Sequence, residues 1–431
     1  FFFHPQHGIR DPLWSRGLGD VYKRQGREHA IVMALAESDS ASEVFCYPGS
    51  DAILEVAKRL SGDINDVESL VKAMVNAGID LCVGGEESWL AKGLADKARE
   101  AGIPTWGPVQ CSSQLEASKE FAKEFMVRHN IPTGGYDSAE DYDSAKSAIT
   151  SYPTVLKFDG LAAGKGVAIC FNESEAESFL DEVFLKKRFG DGRILIEEYL
   201  EGPEVSVIAA VADGKYQIFT PARDYKRLSD GDQGLNTGGM GAVASRSLIS
   251  GELLKQIEDE VIRPSVEGLI NDGMDFRGFL YAGLMLTSDG PKLLEYNCRF
   301  GDPEAQAVLP LVKGDFAAYL MSAAKGNLMD ELINFDEGWS ICLVLASAGY
   351  PSSSRSGDVI NGLDLADGVR VYHAGTQKNN EGQYVTNGGR VLAVVGHGET
   401  REIALECSYT ESEKISFDGN QRRSDIGRLH F

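Results

Sequence analysis

From Gly26 onward, short apolar runs alternate with stretches whose apolar residues recur at helical spacing. GREHAIVMALAES puts Ala30, Ile31, Met33, Ala34 and Leu35 on the apolar side of a helix that opens after a glycine. SEVFCYPG then reads as a strand, DVESLVKAMVNAG as a helix, IDLCVGG as a strand, AKGLADKAREAG as a helix and IPTWGP as a strand, ending near Pro108. That alternation predicts an open parallel α/β sheet over residues 26–108. A longer mixed region, 109–330, carries most of the glycine-rich and acidic stretches. Residues 331–431 follow as a small β-rich domain, with the runs WSICLVLAS, VRVYHAG and GRVLAVVG and the turn signals NGG and FDG. No repeat of 20–50 residues is visible.

Residues 1–25 do not share this patterning. They begin FFFHPQHGIR, reach no Met before Met33 and show neither helical nor strand period. A helix entered through a glycine should follow a buried strand and a glycine-rich turn, and neither precedes Gly26. We read residues 1–25 as a non-native leader standing where the first strand of the sheet belongs, a genuine disordered leader being the alternative.

Composition narrows the function. Asp plus Glu total 65 against 42 for Lys plus Arg, a formal charge of −23, which is the wrong sign for a protein that binds nucleic-acid phosphates. No apolar run approaches the ~18–20 residues needed to span a bilayer. The seven cysteines (Cys46, Cys82, Cys111, Cys170, Cys298, Cys342 and Cys407) are odd in number and scattered, without a C-x-x-C pair, which predicts a reducing, cytoplasmic setting. The 48 glycines cluster where loops would approach a ligand closely.

Four stretches carry candidate chemistry. PTVLKFDGLAAGKGVAIC is two β-like runs joined by a loop with Gly160, Gly164, Lys165 and Gly166, and Lys157 lies in the first run. Such a hairpin can fold over a polyphosphate, although the spacing is not that of a Walker A loop. RILIEEYLEGPEVSV ends one run in Glu197 and Glu198 and opens another at Glu204, acids suited to an adenine amino group and a ribose diol. In YAGLMLTSDGPKLLEYNCRFGDPEAQ a DG turn leads into a strand where Glu295 and Asn297, two apart, share a face. Two hard oxygen donors with few others fit magnesium completed by phosphate and water. Arg299, Asp302 and Glu304 follow in a turn, and Cys298 points into the core. Finally, PARDYKRLSDGDQGLNTGGMGA offers successive glycines whose N–H groups could converge on an anionic substrate.

Taken in order, GREHA, SKEFAKEFM, LKFDGLAAGKGV, IEEYLEGPEVSV, NTGGMGA, LLEYNCRFGDPEAQ, LASAGYP and FDGNQRRSDIG resemble the glycinamide ribonucleotide synthetases (phosphoribosylamine-glycine ligases) of the ATP-grasp superfamily, from Gly26 to the C-terminus. The resemblance implies an α/β fold, α+β in its ATP-grasp part: a parallel N-terminal sheet, an ATP-grasp domain with a lid at about 130–195, and a small β-rich domain. It implies ATP-driven ligation of glycine to 5-phosphoribosylamine through glycyl phosphate in purine biosynthesis, with Mg²⁺ or Mn²⁺ as cofactor. The expected partners are these small molecules, without nucleic acid or membrane, and the expected state is a monomer.

By position, the resemblance assigns ATP phosphates to Lys119, Lys157 and the Gly164-Lys165-Gly166 loop. It assigns adenine to Glu197 and the backbone around Glu198, ribose to Glu204, and the metal to Glu295 and Asn297. Substrate falls to Gly26, Arg27, Glu28, Asp224, Thr237, Gly238, Gly239, Arg299 and Asp302, with Arg299, Asp302 and Lys157 as catalytic groups. The family carries an apolar strand and a glycine-rich turn ahead of GREHA, so this chain is expected to be destabilised and weakly active. VGGEESWL also departs from a family stretch with prolines around the acid. Two alternatives stand beside this reading: another ATP-grasp carboxylate-amine ligase, and an ATP-binding chain with a defective substrate site.

Overall fold

The computed structural model describes residues 26–63, 66–160 and 166–428; the leader, Gly164 and Lys165 lie outside them. Helix α1 (Gly26–Ala36) buries Ala30, Ile31 and Leu35 of the predicted face together with Val32, while Met33 and Ala34 are only half-buried. The parallel sheet that should follow is present as two separate pairs. Strand β1 (Phe45–Cys46) runs parallel to β2 (Lys58–Arg59), and β3 (Cys82–Val83) runs parallel to β4 (Thr105–Trp106). Among the described residues no strand bonds to both pairs. Helix α2 (Val67–Ala77) lies between them in sequence, capped by the Asp66 side chain and stopped by Gly78 at φ +68°.

A four-stranded antiparallel sheet, ordered β5-β8-β6-β7, forms the small subdomain: β5 (Tyr136–Ala139), β6 (Thr154–Phe158), β7 (Val167–Cys170) and β8 (Ile194–Glu198). The larger sheet uses β9 (Glu204–Ala212), β10 (Lys215–Ile218), β11 (Ala222–Asp224), β14 (Gly241–Ser245), β15 (Arg277–Thr287) and β16 (Gly290–Asn297). Between β11 and β14 stands a hairpin of β12 (Arg227–Ser229) and β13 (Gln233–Asn236). Short strands β17 (Val312–Gly314) and β18 (Ile333–Phe335) pair with each other. The last segment adds β19 (Trp339–Ala346), β20 (Arg370–His373), β21 (Thr376–Lys378), β22 (Tyr384–Thr386) and β23 (Arg390–Gly398).

Strands β19, β23 and β20 continue the central sheet, whose order is β16-β15-β9-β11-β14-β19-β23-β20 with β10 on the flank of β9. The β-rich third segment is therefore hydrogen-bonded to the middle of the chain through β14 and β19. The period of two in β9 explains how one sheet serves two cores. Val205, Val207, Ala209 and Val211 face one, Ile208, Ala210 and Ala212 the other, so the strand reads as almost unbroken apolar sequence. A 14-residue helix, Arg401–Lys414, covers β23 and β19 where the sequence reading saw only short strands. Its apolar residues make no helical stripe, and tertiary packing of Ala404, Ser408 and Ser412 holds it.

Helix α1 is tied to the third segment by a histidine pair, His29 buried and His373 half-buried. The His373 amide donates to His29 Nδ1 at 2.9 Å, and His29 meets the Tyr372 ring edge-on. Burial pushes both imidazoles down to about 4, with the charge of His29 adding to the effect on His373. Between pH 6.5 and 4 the unfolded chain then binds more protons than the fold, so stability is lost as pH falls through that window. We expect urea midpoints to drop from pH 6.5 to 4, and His373→Gln to make that slope shallower; an unchanged slope would refute the coupling.

Candidate active site

The nucleotide end is set by strand register. In β6, Leu156 and Phe158 enter the small subdomain's core, so the alternate residues Val155 and Lys157 face outward into a cavity. β8 pairs Val155 with Glu197, which makes Lys157 a diagonal neighbour of Glu197 on that face. The result is a buried triad. Glu197 Oε2 lies 3.0 Å from Lys157 Nζ and 2.9 Å from Lys123 Nζ. Its other oxygen is buried with no hydrogen-bond partner. Lys123, which the sequence reading passed over, is one turn along from Lys119 in the helix Lys119–Arg128. Burial lowers both lysines, while Glu295 opposes the shift at Lys119 and Glu197 at Lys123.

Val155, Val167, Ile169 and Leu200 give this end of the cavity an apolar wall. Glu198 turns to the exposed side, where it accepts the Gly135 amide at 3.0 Å. Lys119 Nζ donates to the Gly160 carbonyl at 2.9 Å, and Asp159 accepts the Lys119 amide at 2.6 Å. The hairpin that includes Gly166 is thus latched to the start of that helix. Asp159 stands in plain sight in the FDG stretch, but only the fold shows that it caps a helix 40 residues earlier.

The acidic floor comes from β9, β11 and β16. Glu295 and Asn297 project from β16 opposite Gly283 and Tyr281 of β15, and among the described residues neither side chain has a hydrogen-bond partner. No group of three His, Cys, Asp or Glu that could hold a metal occurs among the described residues. Two open oxygen donors on one face, with no third protein ligand gathered round them, fit a magnesium-type ion completed by phosphate and water. Glu204 is paired with Lys226. Asp224 is raised to about 7, first by burial and then by Glu304, Glu204 and Glu295, with Lys226 opposing. Glu304 is buried and accepts from Tyr281 and Ser206 at 2.9 and 3.0 Å. Cys298 is in the core, as expected.

The third wall joins residues far apart in sequence. Arg299 Nη2 lies 2.6 Å from Glu116 Oε1, and its Nε lies 3.5 Å from Glu87 Oε2. Arg27 approaches the same Glu87 oxygen at 3.6 Å and pairs with Glu28 at 3.0 Å. Both guanidinium groups donate to the Phe300 carbonyl. Burial raises Glu116, with Arg299 opposing. Burial brings Glu28 up to about 7 against the pull of Arg27. Neither Glu87 nor Glu116 carries a spacing signal in the sequence, and only the fold brings them to Arg299.

The glycine-rich loop corrects one expectation. The N–H groups of Thr237, Gly238, Gly239 and Met240 do not converge on an anion: they donate to the Lys226 carbonyl, Tyr350 hydroxyl, Thr237 hydroxyl and Tyr225 carbonyl, all at 2.8–3.0 Å. A loop crossing this close to the sheet must satisfy its own amides, and the protein supplies every acceptor. The glycines serve close approach instead. Gly239 has φ +106°, and a Cβ there would collide with Pro303 Cδ. Gly239→Ala is expected to cost roughly 1–3 kcal/mol from strain and overpacking. A melting midpoint equal to the parent's would contradict this.

The lysines, the acidic floor and the Arg27–Glu87–Glu116–Arg299 wall line one continuous cavity of about 840 Å³ running from Lys119 and Lys157 to Arg299, Asp302 and Arg390. Such a site can hold a nucleotide against two lysines and deliver a phosphoryl group to a small anion near Glu295 and Asn297.

Comparison with known proteins agrees over nearly the whole chain. Models of the phosphoribosylglycinamide synthetase family match in three parts: the N domain at residues 21–116, the ATP-grasp (A) domain at 117–305 and the C domain at 340–429. A phosphoribosylamine–glycine ligase of Caldanaerobacter subterraneus subsp. tengcongensis is 39% identical over 405 residues, covering 93% of this chain and 97% of its own. One from Chlorobaculum tepidum is 40% identical over 412 residues, with coverage of 93% and 97%. The crystal structure of the Thermotoga maritima phosphoribosylamine–glycine ligase superposes with a TM-score of 0.81 at 34% identity, over 93% of this chain and 98% of that one.

Proposed function

The chain belongs to the phosphoribosylglycinamide synthetase family, and from that membership we infer that it is an ATP-dependent ligase joining glycine to 5-phosphoribosylamine in purine biosynthesis. The observation that carries the reading is the single cavity shared by the Lys119–Lys157–Glu197 end and the Arg299–Asp302 end.

A carboxylate is a poor acyl donor, so glycine first takes the γ-phosphoryl group of ATP, giving glycyl phosphate and ADP. The amine of phosphoribosylamine then attacks the acyl carbon and phosphate leaves. Lys119 and Lys157 meet the triphosphate and offset charge on the transferring group. The unpartnered Glu197 oxygen accepts the adenine amino group, and the apolar wall takes the ring. Glu204 receives the ribose hydroxyls. Glu295 and Asn297 hold a divalent cation, which supplies charge neutralisation at the phosphates.

Arg299 orients the carboxylate beside that point, and Asp302, Asp224 and the loop Thr237–Gly239 shape the amine-substrate end together with Gly26, Arg27 and Glu28. The small subdomain, latched through Asp159, excludes water from the acyl phosphate. No helix among the described residues is long and apolar enough to cross a membrane. All seven cysteines are free, which supports a reducing, cytoplasmic location, and we propose a monomer.

The test is ADP release by the full chain with ATP and Mg²⁺, given glycine alone and then glycine with freshly generated phosphoribosylamine. Turnover that needs both substrates is the expected result. Nucleotide binding without dependence on phosphoribosylamine would refute it and favour a substrate-defective chain. Turnover with a different amine would point to another carboxylate-amine ligase.

A further inference from the structure

Arg390 opens β23 in the third segment of the chain, yet its guanidinium lines the cavity. Only one corner of it is used by the protein. Nη1 donates to the carbonyls of Gly238 and Asp302, the latter at 3.0 Å, and lies 3.1 Å from Asp302 Oδ1. Among the described residues Nε and Nη2 have no acceptor. That leaves the edge of the guanidinium that carries two parallel N–H groups. Gly238 makes room for it, since a Cβ there would lie 3.1 Å from Arg390 Cζ.

Asp302 is left half-used in a complementary way. Its Oδ1 receives Arg390 and the Gln306 amide, the latter at 2.8 Å, while Oδ2 is buried without a partner on a side chain only 6% exposed. The first turn of α1 closes on the same chain of contacts: Gly26 has no side chain where a Cβ would come within 2.5 Å of Gln306 Nε2. A two-donor edge and a single acceptor oxygen therefore stand together at the end of the cavity away from Lys157.

Two parallel N–H groups match two oxygens of a phosphate or a carboxylate. The ligase reading, on which this step rests, commits the glycine carboxylate to the neighbourhood of Glu295 and Asn297, where it is phosphorylated. The anion that remains among the reactants is the sugar phosphate. We propose that the Nε–Nη2 edge of Arg390 binds the 5-phosphate of phosphoribosylamine, with Asp302 Oδ2 accepting a sugar hydroxyl. A residue of the C-terminal segment thereby selects the amine substrate.

Ribose 5-phosphate, which has the phosphate and hydroxyls but no amine, is the probe. By titration calorimetry the full chain is expected to bind it, and Arg390→Lys, which keeps the charge but not the flat edge, is expected to weaken that binding about tenfold or more. The KM for phosphoribosylamine should rise by a similar factor, with the KM values for ATP and glycine within about twofold and the melting midpoint unchanged. Arg390→Gln, which keeps a donor for the Gly238 carbonyl, should show the same losses for ribose 5-phosphate and phosphoribosylamine, together with a lower melting midpoint because the buried Asp302 loses its cation. Unaltered ribose 5-phosphate binding in both variants would overturn the proposal. A rise confined to the glycine KM would also overturn it, by assigning the edge to the carboxylate. A parent chain that binds ribose 5-phosphate but never releases ADP would uphold the anion site while removing the ligase reading.

Discussion

Replacing Arg299 with methionine is expected to destabilise the protein by about 3–5 kcal/mol, the usual cost of removing one partner from a buried ion pair. The geometry explains why so much depends on one side chain. Its guanidinium lies against Glu116 at 2.6 Å and Glu87 at 3.5 Å, and the exposures of these two carboxylate side chains are only 7% and 9%. Methionine fills a similar volume but removes the cation 2.6 Å from Glu116 and the one 3.5 Å from Glu87, a carboxylate that Arg27 also approaches at 3.6 Å.

The sign with pH follows from the direction of the Glu116 shift. Burial already raises this carboxyl, and without Arg299 the largest opposing charge is gone. A raised folded pKa contributes stability below the unfolded value and loses it as pH rises through the folded one, so the deficit should be largest near neutrality and shrink toward pH 5. Urea unfolding of parent and variant at pH 7 and pH 5 checks this. A loss under 1 kcal/mol, or one indifferent to pH, would show that the carboxylates find other partners.

Glu295→Gln is the second large effect, and it should fall on chemistry rather than folding. The carboxylate has no hydrogen-bond partner among the described residues, and Gly283 opposite it presents no side chain, so an amide of the same shape fits without a lost contact. What changes is one negative oxygen donor beside Asn297, at the point where the proposed mechanism brings a divalent ion and the transferring phosphoryl group together. A kcat lower by roughly 10²–10³-fold is expected, in line with removing one preorganised electrostatic partner of the transition state. The melting midpoint should stay within about a degree of the parent's, and the Mg²⁺ concentration for half-maximal activity should rise. Full activity in this variant would move the cation elsewhere.

These two residues mark different depths of legibility. Glu295 and Asn297 were readable because a strand period of two places them on one face within three residues, and the DG turn before them anchors the register. Lys157 and the hairpin behind it were readable from the glycine-and-lysine loop that joins two β-like runs. The NTGGMG stretch misled, since consecutive glycines look alike whether their amides await a ligand or are already bonded. Lys123 was overlooked because a lysine one turn into a helix usually faces solvent, and only the tertiary fold brings Glu197 over it.

By itself the sequence determined the local chemistry: which strands alternate, where glycines permit tight turns, and which acids and lysines stand two or four residues apart. Those properties depend on neighbours in the chain. The tertiary structure alone decided the partnerships across it: Arg27 and Arg299 on the same Glu87, Arg390 against Gly238 and Asp302, and a C-terminal segment hydrogen-bonded into the central sheet. Coulombic and hydrogen-bond partners are chosen by distance in space. Periodicity encodes which face a residue takes but not what the closed chain brings to meet it.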